Sequence, residues 1–365
     1  MKATKRFIAL LLIVTVFTMV LPMNLIAAFA EDILQDEYEI SNGYIKISMQ
    51  KDGSSYGIGT VTGHPLKKYD QDQPLLYDKD DKFSTSYTTI RIIKDEVTSD
   101  YVFGSSKGVI TKGPEIIQLD NNEERAISTT WKVDGVSIKQ DLIINSNTAS
   151  IKGGYANIRY SYTSENPTPV AVGVRILLDT KIAENDGGSF FKNGASSPIS
   201  TETSFKGDDV PEWYSIADNT YFSTTNAFGL LRNQQMRTPD EVQMAHWYNL
   251  ANTLWEFTPT NTLDFSDSYN HYMFADSAIA LIYEPELVAN GRQGMVDTLY
   301  GIGDLSGTDV MYDNFIVNVS QKQELKVNSN KTGYENDGEV LLYLSIDNSD
   351  KDSRKLKDVK VKLVF

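Results

Sequence analysis

Residues 170–178 (VAVGVRILL) form the longest β-rich apolar run in the sequence after the N-terminal segment. Val and Ile branch at Cβ, which favours extended backbone over helix. A strand with so few polar positions is typical of the middle of a sheet, where both faces are buried. These residues therefore predict the central strand of a large β structure.

Strand patterns extend from this run in both directions. Residues 126–144 (AISTTWKVDGVSIKQDLII) predict a hairpin, because Asp134-Gly135 is a turn pair between β-branched runs. Residues 44–48 and 88–92 alternate apolar and polar side chains, and residues 149–162 predict two further short strands. Turn residues recur throughout, so we predict an all-β fold, a large twisted antiparallel β-sandwich.

Three other segments are predicted differently. Residues 239–250 (PDEVQMAHWYNL) indicate a short helix with Pro239 near its start. Residues 63–85 and 183–212, rich in Asp, Gly and Ser, indicate long loops of the kind that are functional or disordered.

The domain organisation predicted is a β-sandwich over residues 36–312 and a short immunoglobulin-like β segment over residues 313–365. In the second part, residues 315–327, 339–347 and 356–365 indicate strands. An immunoglobulin domain needs about 100 residues. The segment is therefore either truncated or an addition to the first domain.

The N-terminus predicts a secretory signal peptide over residues 1–30. Lys2, Lys5 and Arg6 precede a long apolar run, which ends in Ala28-Phe29-Ala30. The alternative is an uncleaved membrane anchor, since about 20 apolar residues can span a bilayer. With cleavage, we expect a secreted or cell-surface protein that does not insert into the membrane.

The amino-acid composition indicates the kind of source organism and argues against some classes of partner and site. The 365 residues include no Cys, and a secreted chain of this length without disulfides indicates a bacterium. The formal net charge of −15 argues against nucleic acid as a partner, because its binders carry a basic stripe. Catalytic thiols and Cys-based zinc sites are excluded as well.

The loop that follows the central strand is a candidate calcium site. Its oxygen-bearing residues are Asp179, Glu184, Asn185 and Asp186, and Gly187-Gly188 ends the run. Closely spaced oxygen ligands on a Gly-rich turn suit Ca²⁺, although the spacing is not that of an EF-hand. The alternative is an ordinary turn, since Asn, Asp and Gly are the usual turn residues.

A group of aromatic residues is the candidate ligand site. Three of the four Trp, Trp213, Trp247 and Trp255, lie within 43 residues of one another, and Glu212 adjoins the first. Aromatic faces stack on sugar rings, so the group predicts a carbohydrate platform. The alternative is core packing, where Trp is found most often.

No catalytic motif is present. The three His residues, His64, His246 and His271, do not form a His-Glu-x-x-His zinc motif. A Gly-x-Ser-x-Gly nucleophile turn is also missing from the sequence. A carboxylate pair of the glycosidase type stays open, because such residues meet in space and not in sequence.

Five segments, in order along the chain, carry a resemblance to known proteins: residues 87–91 (YTTIR), 172–180 (VGVRILLDT), 185–188 (NDGG), 276–281 (DSAIAL) and 298–303 (TLYGIG). They resemble an uncharacterised family of secreted bacterial β-modules. Members of this family lie beside von Willebrand A or immunoglobulin-like domains on cell surfaces, so the resemblance implies a surface role. Residues 155–178 are similar, less closely, to the galactose-mutarotase-type supersandwich, and this likeness implies a supersandwich-like fold only.

Three hypotheses about function follow. The first is a non-catalytic module that binds a polysaccharide or cell-wall glycan, or supports adhesion. The second is a structural spacer in a surface assembly. The third is a carbohydrate-active enzyme of mutarotase or lyase type, which fold class alone does not support.

Overall fold

The computed structural model describes residues 37–63, 70–77, 84–119, 124–145, 154–193, 197–217, 225–232, 236–267 and 274–302, and the backbone of residues 310–312, 315–321 and 342–347. Within these ranges, no helix is long and apolar enough to cross a membrane. The predicted signal peptide, residues 1–30, lies outside the described residues.

The described residues form twenty strands and one short α-helix, with a 3₁₀ turn at Gly207–Asp209. In chain order the strands are β1 (Glu37–Ser41), β2 (Ile45–Gln50), β3 (Tyr56–Thr60), β4 (Tyr87–Lys94), β5 (Val97–Val102), β6 (Val109–Gln118), β7 (Glu124–Val133), β8 (Val136–Asn145), β9 (Tyr155–Ser164), β10 (Val170–Thr180), β11 (Phe190–Lys192), β12 (Thr203–Lys206), β13 (Trp213–Ala217), β14 (Asn226–Leu230), β15 (Glu241–Ala245), β16 (Ser277–Val288), β17 (Gln293–Ile302), β18 (Val310–Tyr312), β19 (Phe315–Gln321) and β20 (Leu342–Asp347). The helix, α1, is Trp247–Ala251.

Two large antiparallel sheets make up the sandwich. The six-stranded sheet has the order β12-β15-β16-β10-β4-β5, and the eight-stranded sheet has the order β11-β13-β14-β17-β9-β8-β7-β6. Strands β1, β2 and β3 form a separate three-stranded sheet. The predicted all-β sandwich is therefore confirmed.

Strand β10 is the central strand that residues 170–178 predict. It pairs with β16 on one side and β4 on the other, and ten of its eleven residues are buried. Ile176 and Leu178 face the eight-stranded sheet and share its core with Tyr160 and Tyr300, whereas Leu177 points to the outer face. Burying a side chain of this size contributes roughly 1.5–3 kcal/mol, so this strand anchors both layers of the sandwich.

The hairpin predicted around Asp134-Gly135 is also present. Strands β7 and β8 pair in register from Glu124↔Asn145 to Val133↔Val136. Both turn residues have positive φ, 49° at Asp134 and 75° at Gly135, which is the geometry of a two-residue hairpin turn. The side-chain amide of Asn166 lies 2.9 Å from the position of a Cβ at Gly135, so the turn also needs Gly for space.

The helix predicted over residues 239–250 is largely wrong. Glu241–Ala245 is strand β15, which lies between β12 and β16, and only Trp247–Ala251 is helical. Sheet pairing on both sides of Val242 and Met244 buries them completely, which outweighs the helical propensity of the segment.

The prediction of two strands in residues 149–162 is tested only in part. Its described part is the single strand β9, with strictly alternating burial, and residues 149–153 lie outside the described residues. Residues 183–212 were expected to be a loop, yet they contain β11 and β12, which pair with β13 and β15. Both are short strands at sheet edges, where a few residues among turn formers leave little periodic signal.

In the C-terminal segment the backbone of β19 pairs antiparallel with β18 and with β20. Two of the strands predicted there, in residues 315–327 and 339–347, are thus present in part. Residues 356–365 lie outside the described residues. The immunoglobulin-like character of the segment and the boundary near residue 313 stay predictions.

Candidate functional site

Three aspartates from two parts of the chain meet at one end of the six-stranded sheet. Asp179 is near the end of β10, Asp186 is in the loop that follows, and Asp276 directly precedes β16. One carboxylate oxygen from each lies within 4.8 Å of the others. We call these residues the aspartate cluster. Asp179 is buried, and the other two are partly exposed.

The antiparallel register of β10 and β16 brings the cluster together. Thr180 and Ser277 are paired across the two strands, and the Thr180 hydroxyl donates to the Ser277 carbonyl at 2.7 Å. The backbone N–H of Ser277 donates in turn to the carbonyl of Asp186 at 2.8 Å. These bonds fasten the loop to the first residue of β16, which places Asp186 beside Asp276.

Close packing of the loop requires glycine at position 187. A Cβ there would lie 2.5 Å from the Cβ of Ala275, which is closer than real side chains approach. The Asn185 side-chain oxygen accepts from the Gly187 N–H at 3.1 Å, which closes a local turn. The Asn-Asp-Gly run therefore forms the turn and also positions Asp186 in the cluster.

The electrostatics of the cluster disfavour ionisation of Asp276. Burial, and then the charge of Asp186, raise the pKa of the Asp276 carboxyl from 3.8 to about 7. Its Oδ1 atom is buried and has no hydrogen-bond partner. A proton or a cation that offsets the carboxylate charges therefore stabilises a site of this kind.

The cluster contains only part of the predicted metal-binding set. Asp179 and Asp186 belong to it, but the side chain of Glu184 is exposed and the oxygen of Asn185 is used in the turn. Asp276, the third member, was not among the predicted ligands. Its position just before a strand that pairs with β10 is the signal that would have identified it.

The predicted tryptophan platform is not assembled as one surface. Trp213 packs with Phe228 and Leu230 on the outer face of the eight-stranded sheet and is only 9% exposed. Trp247 and Trp255 lie instead on the outer face of the six-stranded sheet, on the other side of the core. Successive side chains of a strand point to opposite faces of its sheet. Tyr214 points into the core, so its neighbour Trp213 points to the outer face of the eight-stranded sheet.

Packing also limits the other two tryptophans as sugar platforms. Trp255 is 3% exposed and lies under the guanidinium of Arg91, 4.4 Å from the ring centre. Trp247 is half-buried, and its Nε1 donates to the carbonyl of Thr85 at 3.0 Å. Glu212 is exposed beside Trp213, whose ring is covered. The core-packing alternative thus describes the tryptophans better than the platform does.

Two aromatic side chains that the sequence did not single out are exposed. Phe274 is 91% exposed and precedes Asp276 by two residues, and Tyr248 on α1 is 53% exposed. His246 joins their segments, because its Nε2 is 3.0 Å from the Phe274 carbonyl while its Nδ1 accepts from the Tyr248 N–H. Large exposed rings near a polar site are what a stacking ligand needs.

Of the three histidines, the structure describes His246. His246 is 5% exposed and caps the start of α1, which is a structural role. His64 and His271 lie outside the described residues.

Comparison with known proteins gives structural neighbours only. No protein-family model and no curated protein matches the chain. The chain is similar to a galactose mutarotase-like protein from Lactobacillus casei, at 8% identity and a TM-score of 0.43, over 73% of this chain and 100% of that one. It is also similar to a galactose mutarotase related enzyme from Lactobacillus acidophilus, at 9% identity and a TM-score of 0.39, over 73% and 97% of the two chains. At these TM-scores the likeness carries no argument about activity.

Proposed function

We propose that this chain is a secreted or cell-surface bacterial module that binds a polysaccharide or cell-wall glycan in a calcium-dependent manner, without catalysis. The aspartate cluster is the observation that carries the proposal. The signal-peptide pattern of residues 1–30 supports the extracellular location, and the absence of Cys from a secreted chain supports a bacterial source.

Calcium suits the chemistry of the cluster. Ca²⁺ is a hard cation that binds carboxylate and carbonyl oxygens in flexible geometry, and three carboxylates converge here. In the protein without metal, the raised pKa of Asp276 reflects first the cost of burying its carboxylate and then the repulsion from Asp186. A bound divalent cation removes this cost, and it ties the loop of Asp186 to the start of β16.

A glycan would have aromatic surface beside the ion. Phe274 and Tyr248 supply exposed rings, and Phe274 is two residues from a cluster member. Ordering of Asp276 by calcium would also fix the neighbouring Phe274, which couples the ion to the ligand surface. This replaces the predicted role of Trp213, Trp247 and Trp255 in ligand stacking.

Co-sedimentation with insoluble polysaccharides and purified bacterial cell walls tests the proposal. We expect depletion of the protein from the supernatant with millimolar calcium, and recovery in the supernatant with EDTA. Asp276→Asn should lose the calcium dependence, and Phe274→Ala should bind less while still binding calcium. Asp264→Asn is the matched control, since Asp264 caps a local turn through Ser266 and lies outside the cluster.

Binding that is equal in calcium and in EDTA would contradict the calcium dependence. Absence of both calcium binding and glycan binding would overturn the proposal in favour of the structural spacer.

One observation favours a second candidate, a carbohydrate-active enzyme. A carboxyl with a pKa of about 7 beside a second carboxylate is also the arrangement of a general acid with its partner. The two candidates differ in what the cluster holds, a proton or a calcium ion. Turnover of a glycan by the metal-free protein, with an optimum near neutral pH and none in Asp276→Asn, would favour the enzyme.

A further inference from the structure

Three polar side chains lie side by side on the outer face of the eight-stranded sheet. Asn157 and Arg159 are on β9, and Asp297 is on β17, directly opposite Arg159. The Oδ2 atom of Asp297 is 3.6 Å from Arg159 Nη2 and 3.5 Å from Asn157 Nδ2. We call these residues the polar cluster. Asp297 is 6% exposed, whereas a third of the Arg159 side chain reaches solvent.

Each member has a buried polar atom without a hydrogen-bond partner. These atoms are Oδ1 of Asn157, Nε of Arg159 and Oδ1 of Asp297. Native proteins leave few buried polar atoms unpaired, and three on adjacent residues of one face are unusual. Such a group indicates a site that a bound molecule or an ordered water completes.

The unpaired atoms define the chemistry of the occupant. Two are acceptors and one is a donor, so the occupant has to donate twice and accept once. A metal ion would meet the guanidinium of Arg159, and an anion would meet the carboxylate of Asp297, so both are disfavoured. A pair of neighbouring hydroxyls fits, because each hydroxyl donates once and either can accept from Arg159.

We propose that Asn157, Arg159 and Asp297 bind two adjacent hydroxyls of a sugar ring. This inference rests on the proposed carbohydrate binding and places one sugar contact away from the aspartate cluster. The ligand enters where Arg159 is exposed. The flexible Arg159 side chain turns aside as it does so, a common change on binding. Arg159 Nη2 lies 3.6 Å from Asp297 Oδ2, so this movement breaks no short hydrogen bond, and the entering hydroxyl offsets the lost contact by donating to Asp297.

Saturation-transfer NMR with the methyl pyranosides of glucose, galactose and mannose tests this site in the presence of calcium. We expect saturation transfer to at least one pyranoside from the unmodified protein. Asp297→Asn should weaken the affinity about tenfold or more, the usual effect of losing a hydrogen bond to a charged group. The amide oxygen would keep the hydrogen bond that Asn157 Nδ2 donates to Oδ2 at 3.5 Å, so the amide would put its NH₂ at the ligand-facing position.

Asn157→Leu, which removes the second acceptor at similar volume, should have a comparable effect. Asp141→Asn is the matched control on the same row of the sheet, because Ser128 and Lys139 already donate to Asp141. Thermal unfolding of each variant verifies that it is folded.

Three outcomes would overturn the inference. If no pyranoside receives saturation while polysaccharide co-sedimentation is intact, the polar cluster holds an ordered water only, and the proposed function stands without it. If Asp297→Asn and Asn157→Leu bind pyranosides as tightly as Asp141→Asn does, the sugar lies elsewhere. If neither polysaccharide nor pyranoside binds, the proposed function fails together with the inference.

Discussion

The aspartate cluster and the polar cluster are both groups of three side chains with buried polar atoms, but their charges are balanced differently. In the aspartate cluster, carboxylates meet carboxylates, and the pKa of Asp276 is raised to about 7. In the polar cluster, Asp297 faces Arg159, and what is missing is hydrogen-bond partners. The aspartate cluster is therefore suited to bind a cation, and the polar cluster is suited to bind a neutral compound with hydroxyl groups.

The largest effect should appear in the pH dependence of the metal-free protein. The pKa of Asp276 is raised in the folded state, so the folded protein holds a proton that the unfolded chain releases. The stability that Asp276 contributes should therefore be fully present below pH 4 and be lost as the pH rises towards 7. The shift from 3.8 to about 7 corresponds to at most about 4 kcal/mol, and less after solvent screening.

Urea denaturation in EDTA from pH 4 to 8 measures this slope. Asp276→Asn has no carboxyl to ionise at this position, so its slope should be flatter and its stability at pH 8 higher than that of the unmodified chain. An equal slope in both proteins would show that Asp276 is not the group that opposes folding.

Calcium should then separate the two clusters. A ligand that binds only the folded state at 100 times its Kd stabilises it by about 2.7 kcal/mol. Thermal unfolding should show this increase for the unmodified protein and for Asp297→Asn, but not for Asp276→Asn. If the stabilisation by calcium needs Asp297 and not Asp276, calcium binds at the polar cluster and not at the aspartate cluster.

Removal of the positive charge from the polar cluster is expected to lower the free energy of unfolding by about 2 kcal/mol. Arg159→Met leaves Asp297 buried without its cation, and breaking a buried pair from one side is strongly destabilising. The cost should disappear at acidic pH, where Asp297 is protonated. Lys132→Met is the control, since its pair with Glu165 is exposed and such pairs contribute about 0–1 kcal/mol. Chemical denaturation of both variants at pH 8 and pH 4 makes the comparison.

The fold could be predicted from sequence because its main signals are local. Residues 170–178 predict a central buried strand, and Asp134-Gly135 predicts a hairpin; both are present. Strand β15 was missed because its conformation depends on β12 and β16, which are distant in sequence. Propensity within residues 239–250 contains no information about those partners.

The candidate site was predicted only where its residues are close in sequence. Asp179 is near the end of β10 and Asp186 is in the loop that follows, whereas Asp276 joins them through the register Thr180↔Ser277. The polar cluster was not predicted at all, since Arg159 and Asp297 become neighbours only when β9 pairs with β17. Register between distant strands is set by the whole hydrophobic pattern, which one segment does not reveal.

The smallest effect on stability should come from Asp297→Asn, within about 1 kcal/mol of the unmodified protein. Burial is the main cause of the raised pKa of Asp297, so a neutral amide of the same shape avoids the cost of burying an ion. The amide oxygen can still accept from Asn157 Nδ2, which donates to Oδ2 at 3.5 Å, and only the long ion pair with Arg159 is lost with the charge. Urea denaturation at pH 7 measures the difference.

If Asp297→Asn is instead as unstable as Arg159→Met, the carboxylate is needed to hold the sheet, and its hydrogen-bonding capacity is not reserved for a ligand. The contrast between the clusters would then reduce to one cation site and one structural ion pair. A stable Asp297→Asn protein that no longer binds pyranosides would show the opposite, because a residue that costs little to replace in the fold but is needed for binding acts on the ligand.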